Sequence, residues 1–162
     1  MTSVPASTGK SAAAVPAETV QARCDFYRAY GIDAYLQVDL RRLIVVANSR
    51  LAGLTLPAEL AMRVRGRLRV QQIDLGPVIS HPRSKRWTLL VTGNVPADKV
   101  TCARLFRHQV SVVRSGTQIA LPAPIEGYEN LRYWVEPPTA PLPSGAVVAQ
   151  AILECVEQAR CL

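Results

Sequence analysis

Apolar positions in this chain fall into short runs and helical stripes separated by turn residues, and the pattern starts only near residue 18. Residues 1–17 are largely Ser, Thr, Ala, Gly and Pro with hardly any large apolar side chain. Such a segment cannot repay the entropy of ordering and is expected to form a flexible tail outside the core. Beyond it, Val20, Cys24, Tyr27 and Tyr30 recur at helical intervals and Gly31 stands where a helix would end, which predicts a first helix. Residues 34–38 and 43–47 are short, apolar and partly β-branched on either side of a polar turn, the pattern of a hairpin.

Leu56-Pro57 opens the next helix, because proline loses no hydrogen bond at a helix start and Glu59 suits the positive end of the dipole. Leu60, Val64 and Leu68 then recur every fourth position, with Arg63, Arg65, Arg67 and Arg69 around the remaining surface. Residues 63–70 also alternate charged and uncharged, as a half-buried strand would. The proline start decides for a helix to about Leu68.

Residues 77–80 and 87–91 are apolar runs joined by a basic turn, His81-Pro82-Arg83-Ser84-Lys85-Arg86, and predict a second hairpin. Residues 94–98, with Pro96 near the first position, open a third helix whose buried side is read as Val100, Ala103, Leu105 and Phe106. A third hairpin is expected from residues 110–113 and 118–121 around Arg114-Ser115-Gly116-Thr117. Residues 122–130 read as loop, 131–136 as a strand, and 137–143 as a proline-rich connection. A closing helix starts at Ser144 or Gly145 and runs through Val147, Ala151 and Cys155 to about Gln158. About four helices among seven strands predict an α+β fold, a mainly antiparallel sheet built of hairpins and covered by helices. The expected organisation is one domain over residues 18–162 behind the 1–17 tail.

Composition narrows the setting. The apolar fraction is 49%, yet the longest apolar runs fall far short of a membrane span, and the first residues lack a basic stretch followed by an apolar one. A cytoplasmic protein without membrane attachment is the expectation. Cys24, Cys102, Cys155 and Cys161 are scattered, with no Cys-x-x-Cys pair and two histidines in the whole chain, so they read as reduced packing thiols.

Charge changes the picture more. The net value is +7, but it is unevenly spread: residues 23–114 carry sixteen Lys or Arg against six Asp or Glu, and residues 115–162 carry two against five. A cationic middle concentrates polyanions and releases their counterions, which makes nucleic acid the natural partner class. The same arginines also serve solubility, and composition leaves both readings open.

The basic turn is the sharpest candidate site. His81, Arg83, Lys85 and Arg86 stand together at one hairpin tip, and Arg107 and Arg114 would extend the patch if the sheet order brought them near. A charged tip also guards a sheet edge against aggregation. Trp87 and Trp134 could stack bases, although apolar flanks favour packing.

The order Leu43-Ile44-Val45-Val46, Leu56-Pro57, Gly76-Pro77-Val78, Trp87, Gly116, Ile119-Ala120-Leu121-Pro122, Tyr133-Trp134-Val135-Glu136-Pro137-Pro138 and Leu142-Pro143 resembles small actinobacterial proteins related to the bifunctional DNA primase/polymerase N-terminal domain. The resemblance spans about residues 24–157. It implies a primase-polymerase-like fold, whose catalytic members use an acidic metal-binding pair on a strand, a histidine for the nucleotide and a further acid. This chain departs from that pattern. Asp39 is the only acid of the early hairpin, with Gln37 two positions before it, and Ile79 replaces the small residue expected two positions ahead of His81. Two-metal phosphoryl transfer needs converging carboxylates.

No catalytic residue, metal or cofactor is therefore carried over. Phosphate-loop, nucleophile-elbow, zincin and dinucleotide motifs are also missing from the sequence. The expectation is a non-catalytic domain that associates with DNA, RNA or a replication or transcription protein through its basic middle. One alternative is a protein-interaction module using residues 137–143 or a sheet edge. The other is a nucleotide-processing enzyme, which would require Asp33, Asp39 or Asp74 to meet around a divalent ion.

Overall fold

The computed structural model describes residues 17–123 and 131–161. The expected tail, apart from Ala17, and most of the expected 122–130 loop lie outside them. Helix α1 (Ala17–Ala29) is followed by β1 (Tyr35–Gln37) and β2 (Arg42–Val46), an antiparallel pair joined through a one-turn 3₁₀ helix, Val38–Leu40. Next come β3 (Ala52–Pro57), α2 (Ala58–Val70), and the hairpin β4 (Val78–His81) and β5 (Arg86–Val91). The chain continues with α3 (Lys99–Arg107), β6 (Ser111–Val113), β7 (Gln118–Leu121), β8 (Tyr133–Glu136) and α4 (Gly145–Gln158). The fold is α+β with antiparallel sheets, as the sequence pattern implies.

There are two sheets. The larger has the order β6-β3-β5-β4-β8 and the smaller β1-β2-β7. Neighbouring residues of the central strands enter opposite cores, Leu89 and Val78 on one side, Leu90 and Ile79 on the other. That explains why these strands read as unbroken apolar runs instead of alternating ones. The first core gathers Leu54 and Leu56 of β3 with Leu60, Val64 and Leu68 of α2 and Val148, Ile152 and Leu153 of α4. The second joins Cys24 and Tyr27 of α1 to Leu43, Val45, Ile119 and Leu121 of the smaller sheet. Helices thus cover one face of the five-stranded sheet, and the three-stranded sheet with α1 covers the other.

Three expectations are corrected. Residues 52–57 form a strand, and it is β3, paired on both sides, by β5 and by β6. Pro57 closes this strand and begins α2 with no intervening loop, its φ of −55° and ψ of 137° serving both elements. The second correction concerns the third hairpin, which does not exist. β6 pairs with β3 in the larger sheet while β7 pairs with β2 in the smaller. The turn between them is real, with Gly116 at φ +91° and its N–H donating to the Ala47 carbonyl at 2.9 Å, but it passes the chain from one sheet to the other.

The third correction is to α3. Its helix begins one turn later than expected, with Asp98 as the N-cap accepting from the Thr101 N–H at 2.8 Å. Leu105 is its buried residue, whereas Val100 and Phe106 are 69% and 79% exposed. α3 packs against α4, and its underside is narrower than the spacing of its apolar residues suggested.

Candidate functional site

The basic turn is built on the β4–β5 hairpin, where His81 faces Arg86 across the last pair of the ladder. At the tip, Ser84 N–H donates to the His81 carbonyl at 3.2 Å and Lys85 N–H to the Pro82 carbonyl at 3.3 Å, and Lys85 takes φ +53°. These bonds turn the chain sharply and leave the Arg83 and Lys85 side chains exposed. Neither has an ion-pair partner among the described residues.

The base of the turn is a different environment. One Arg86 guanidinium nitrogen donates to the carbonyl of Thr55 at 2.9 Å and to that of Gln109 at 2.6 Å. It thereby ties the hairpin to β3 and to the segment just after α3. His81 Nε2 lies 2.8 Å from Thr88 Oγ1, which lies 2.9 Å from Thr55 Oγ1. Either end of this chain can act as donor, so it accommodates a neutral or a protonated imidazole. Burial, with Arg132 and Arg86 nearby, pushes the His81 imidazole below its ordinary value of 6.5 and favours the neutral form. A cleft of ≈ 290 Å³ opens here, with His81, Thr88, Thr55, Ser84 and Gln118 as its polar lining.

Arg132, just before β8, adds to the positive field. Desolvation and the neighbouring Arg42 both lower its affinity for a proton, and its Nε has no hydrogen-bond partner among the described residues. Arg42, Arg86, Arg132 and His81 thus come from β2, β5, the approach to β8, and β4. The sequence grouped His81 with Arg86 in the basic turn but gave no reason to add Arg42 and Arg132 to them.

Arg107 and Arg114 are placed differently. Arg114 donates to the carbonyls of Val95 and Pro96 at 3.1 and 2.7 Å and to Cys102 Sγ at 3.4 Å, so its guanidinium holds the loop that leads into α3. It is spoken for by the fold. Arg107 is exposed near the end of α3, two residues before the Gln109 carbonyl that Arg86 grips. The structure therefore brings Arg107's end of α3 to the base of the basic turn and takes Arg114 out of the patch.

No family model, curated protein or solved structure matches the chain.

The charge asymmetry of the sequence is partly cancelled in space. Arg65 pairs with Glu136, Arg67 with Glu154, and Arg104 with Glu157, so acids of the C-terminal third neutralise arginines of α2 and α3. Arg23, Arg41, Arg50, Arg63 and Arg69 are exposed and have no ion-pair partner among the described residues, so free positive charge also stands on α1, α2 and two loops.

Carboxylates do not assemble into a centre. Asp33 lies 3.4 Å from Arg28, and Asp74 accepts the Gly76 N–H at 2.9 Å. Among the described residues no three His, Cys, Asp or Glu side chains gather closely enough to hold a metal ion. The four cysteines are free thiols, and burial raises Cys24 and Cys155 above the ordinary range, away from reactivity. The 137–143 connection is built into the fold: Pro138 is buried, Leu142 packs against the second core, and the Pro143 carbonyl accepts the Thr92 N–H at 2.9 Å. No helix of the described residues is long and apolar enough to cross a membrane.

Proposed function

We propose that this protein is a non-catalytic, primase-polymerase-like domain that docks on the phosphate backbone of nucleic acid. The surface involved runs from the β4–β5 tip to the end of α3. The observation that carries this reading is the Arg86 bridge to the Gln109 carbonyl, which fixes Arg83 and Lys85 relative to Arg107. Cations held on a rigid scaffold lose little freedom when they meet phosphates, and each contact releases counterions. Arg132 at the base supplies further positive potential, and the neutral His81 imidazole and the hydroxyl-lined cleft offer hydrogen-bonding groups beside it. The partner is DNA or RNA in the cytoplasm, met directly or within a replication or transcription assembly.

The test is binding of labelled single- and double-stranded oligonucleotides over a salt series, comparing the wild type with an Arg83→Ala/Lys85→Ala variant. Two lost phosphate contacts should make the slope of log K against log salt shallower by about two units. Equal slopes would overturn the reading and favour a protein-interaction module.

A further inference from the structure

A second recess, of ≈ 190 Å³, lies between the end of α3 and the last turn of α4. Its floor is Leu153 and Val156, and its rim carries Arg104, Arg107, His108 and Arg160 with one carboxylate, Glu157. That carboxylate is already paired with Arg104. Arg107 and Arg160 have no ion-pair partner among the described residues. Cations at a helix C-terminus are favourable singly, because they face the negative end of the dipole. Three guanidiniums around one small space repel each other and disfavour a proton on the imidazole beside them, and the dipole needs only one of them.

We propose that this recess binds a tetrahedral phosphate group, held by the guanidinium forks of Arg107 and Arg160 and by a protonated His108. Arginine forks match oxyanion geometry and remain charged at all relevant pH values. The volume is below the roughly 300–1,000 Å³ of sites that enclose a whole small molecule, so it suits the phosphate and not the nucleoside attached to it. The phosphate can be free or the terminal monoester of an oligonucleotide. The site stands on its own geometry and shares only Arg107 with the interface proposed above.

His108 makes the binding proton-linked. Desolvation, with Arg160, Arg107 and Arg104 around it, lowers the imidazole below 6.5, so the empty site holds it neutral near pH 7. Glu157 of α4 is the one facing acid in the recess, and Arg86 of β5 reaches the adjoining Gln109 carbonyl. An added dianion favours the imidazolium, so binding takes up a proton and tightens as pH falls.

The test is a titration of the full chain followed by the side-chain NMR signals of His108 and the arginines. Sulfate is the first probe, because its charge is constant across the range, inorganic phosphate is the second, and sodium chloride controls for ionic strength. Saturable shifts are expected at Arg107, Arg160 and His108, with sulfate bound several-fold more tightly near pH 6 than near pH 8. His108→Gln should keep binding and lose the pH dependence. Arg107→Gln/Arg160→Gln should abolish binding, and Glu157→Gln, by freeing Arg104, should strengthen it. Preference for a 5′-phosphorylated over a 5′-hydroxyl oligonucleotide, lost in the double arginine variant, would assign the phosphate to a chain end. Saturable binding of inorganic phosphate without that preference would assign it to the free ion. Linear shifts that are the same in wild type and the double arginine variant would overturn the proposal, whatever the Arg83→Ala/Lys85→Ala variant does to oligonucleotide binding.

Discussion

The indole Nε1 of Trp134 donates to the hydroxyl of Tyr27 at 2.9 Å, and that hydroxyl in turn donates to the carbonyl of Pro122 at 2.7 Å. The two rings meet edge-on, with centroids 5.6 Å apart. One phenol therefore ties α1 to β8 and to the end of β7, and uses both polar groups of an otherwise apolar contact. Tyr27→Phe keeps the ring and leaves a half-buried N–H and a buried carbonyl without partners. The expected cost is about 1–3 kcal/mol, read as a lower denaturant midpoint with an unchanged slope.

Gly53 sits where the larger sheet packs against Ile119 of the smaller one and leaves little room for a side chain. A Cβ there would lie 3.1 Å from Ile119 Cδ1 and 3.3 Å from both Thr88 Cγ2 and Val113 Cβ. Gly53→Val should destabilise by about 1–3 kcal/mol through overpacking, and by shifting Thr88 it should also move the His81 imidazole signals. Gly66 gives the opposite result: it lies inside α2 with nothing within 4 Å of a built Cβ, so Gly66→Ala should stabilise by about 0.5–1 kcal/mol.

Within the basic turn, stability and binding separate. Arg86→Ala deserts the Thr55 and Gln109 carbonyls and should cost about 1–3 kcal/mol. Arg83→Ala and Lys85→Ala, both at exposed positions, should stay within about ±0.5 kcal/mol while weakening oligonucleotide binding. Thermal melts beside the salt series check this, and a large stability loss in the tip variants would contradict it.

Acidification should destabilise the fold through His81. Its folded value lies below the ordinary 6.5, so the unfolded chain binds the proton more readily. Stability is fully present above about pH 6.5 and is lost as pH falls through the depressed folded value. His81→Gln should flatten this part of the pH–stability curve. A wild-type curve with no decline below pH 6.5 that the variant lacks would count against the placement of the imidazole.

Most elements were legible because local signals agreed with tertiary need. Ser144 caps α4, accepting from the Val147 N–H at 3.4 Å, and the Leu60, Val64 and Leu68 stripe of α2 is buried as its spacing implied. β3 escaped because Ala52-Gly53 carries little strand propensity and Pro57 announces the helix it begins, not the strand it ends. The Ser115-Gly116 turn was correctly placed, but a turn signal states where a chain reverses and not which strands it will join. At the candidate site, Arg83 and Lys85 were visible because they are contiguous. Thr88 was discoverable as the single polar residue inside the 87–91 run. Arg132 had a weaker signal, a lone cation in an acidic stretch, and its grouping with Arg42 and Arg86 depends on sheet order that no local pattern encodes.

The hand-over between sheets also governs how the molecule is made. β2 finds its outer partner at residues 118–121, some seventy residues further along the chain, so a nascent polypeptide must carry the Leu43-Ile44-Val45 edge bare until most of the protein has emerged. Closing that distance is entropically slow and leaves a sticky strand open to neighbours. Assembly of the small sheet therefore waits until residues 118–121 have been made, and until then the open edge can pair with other chains.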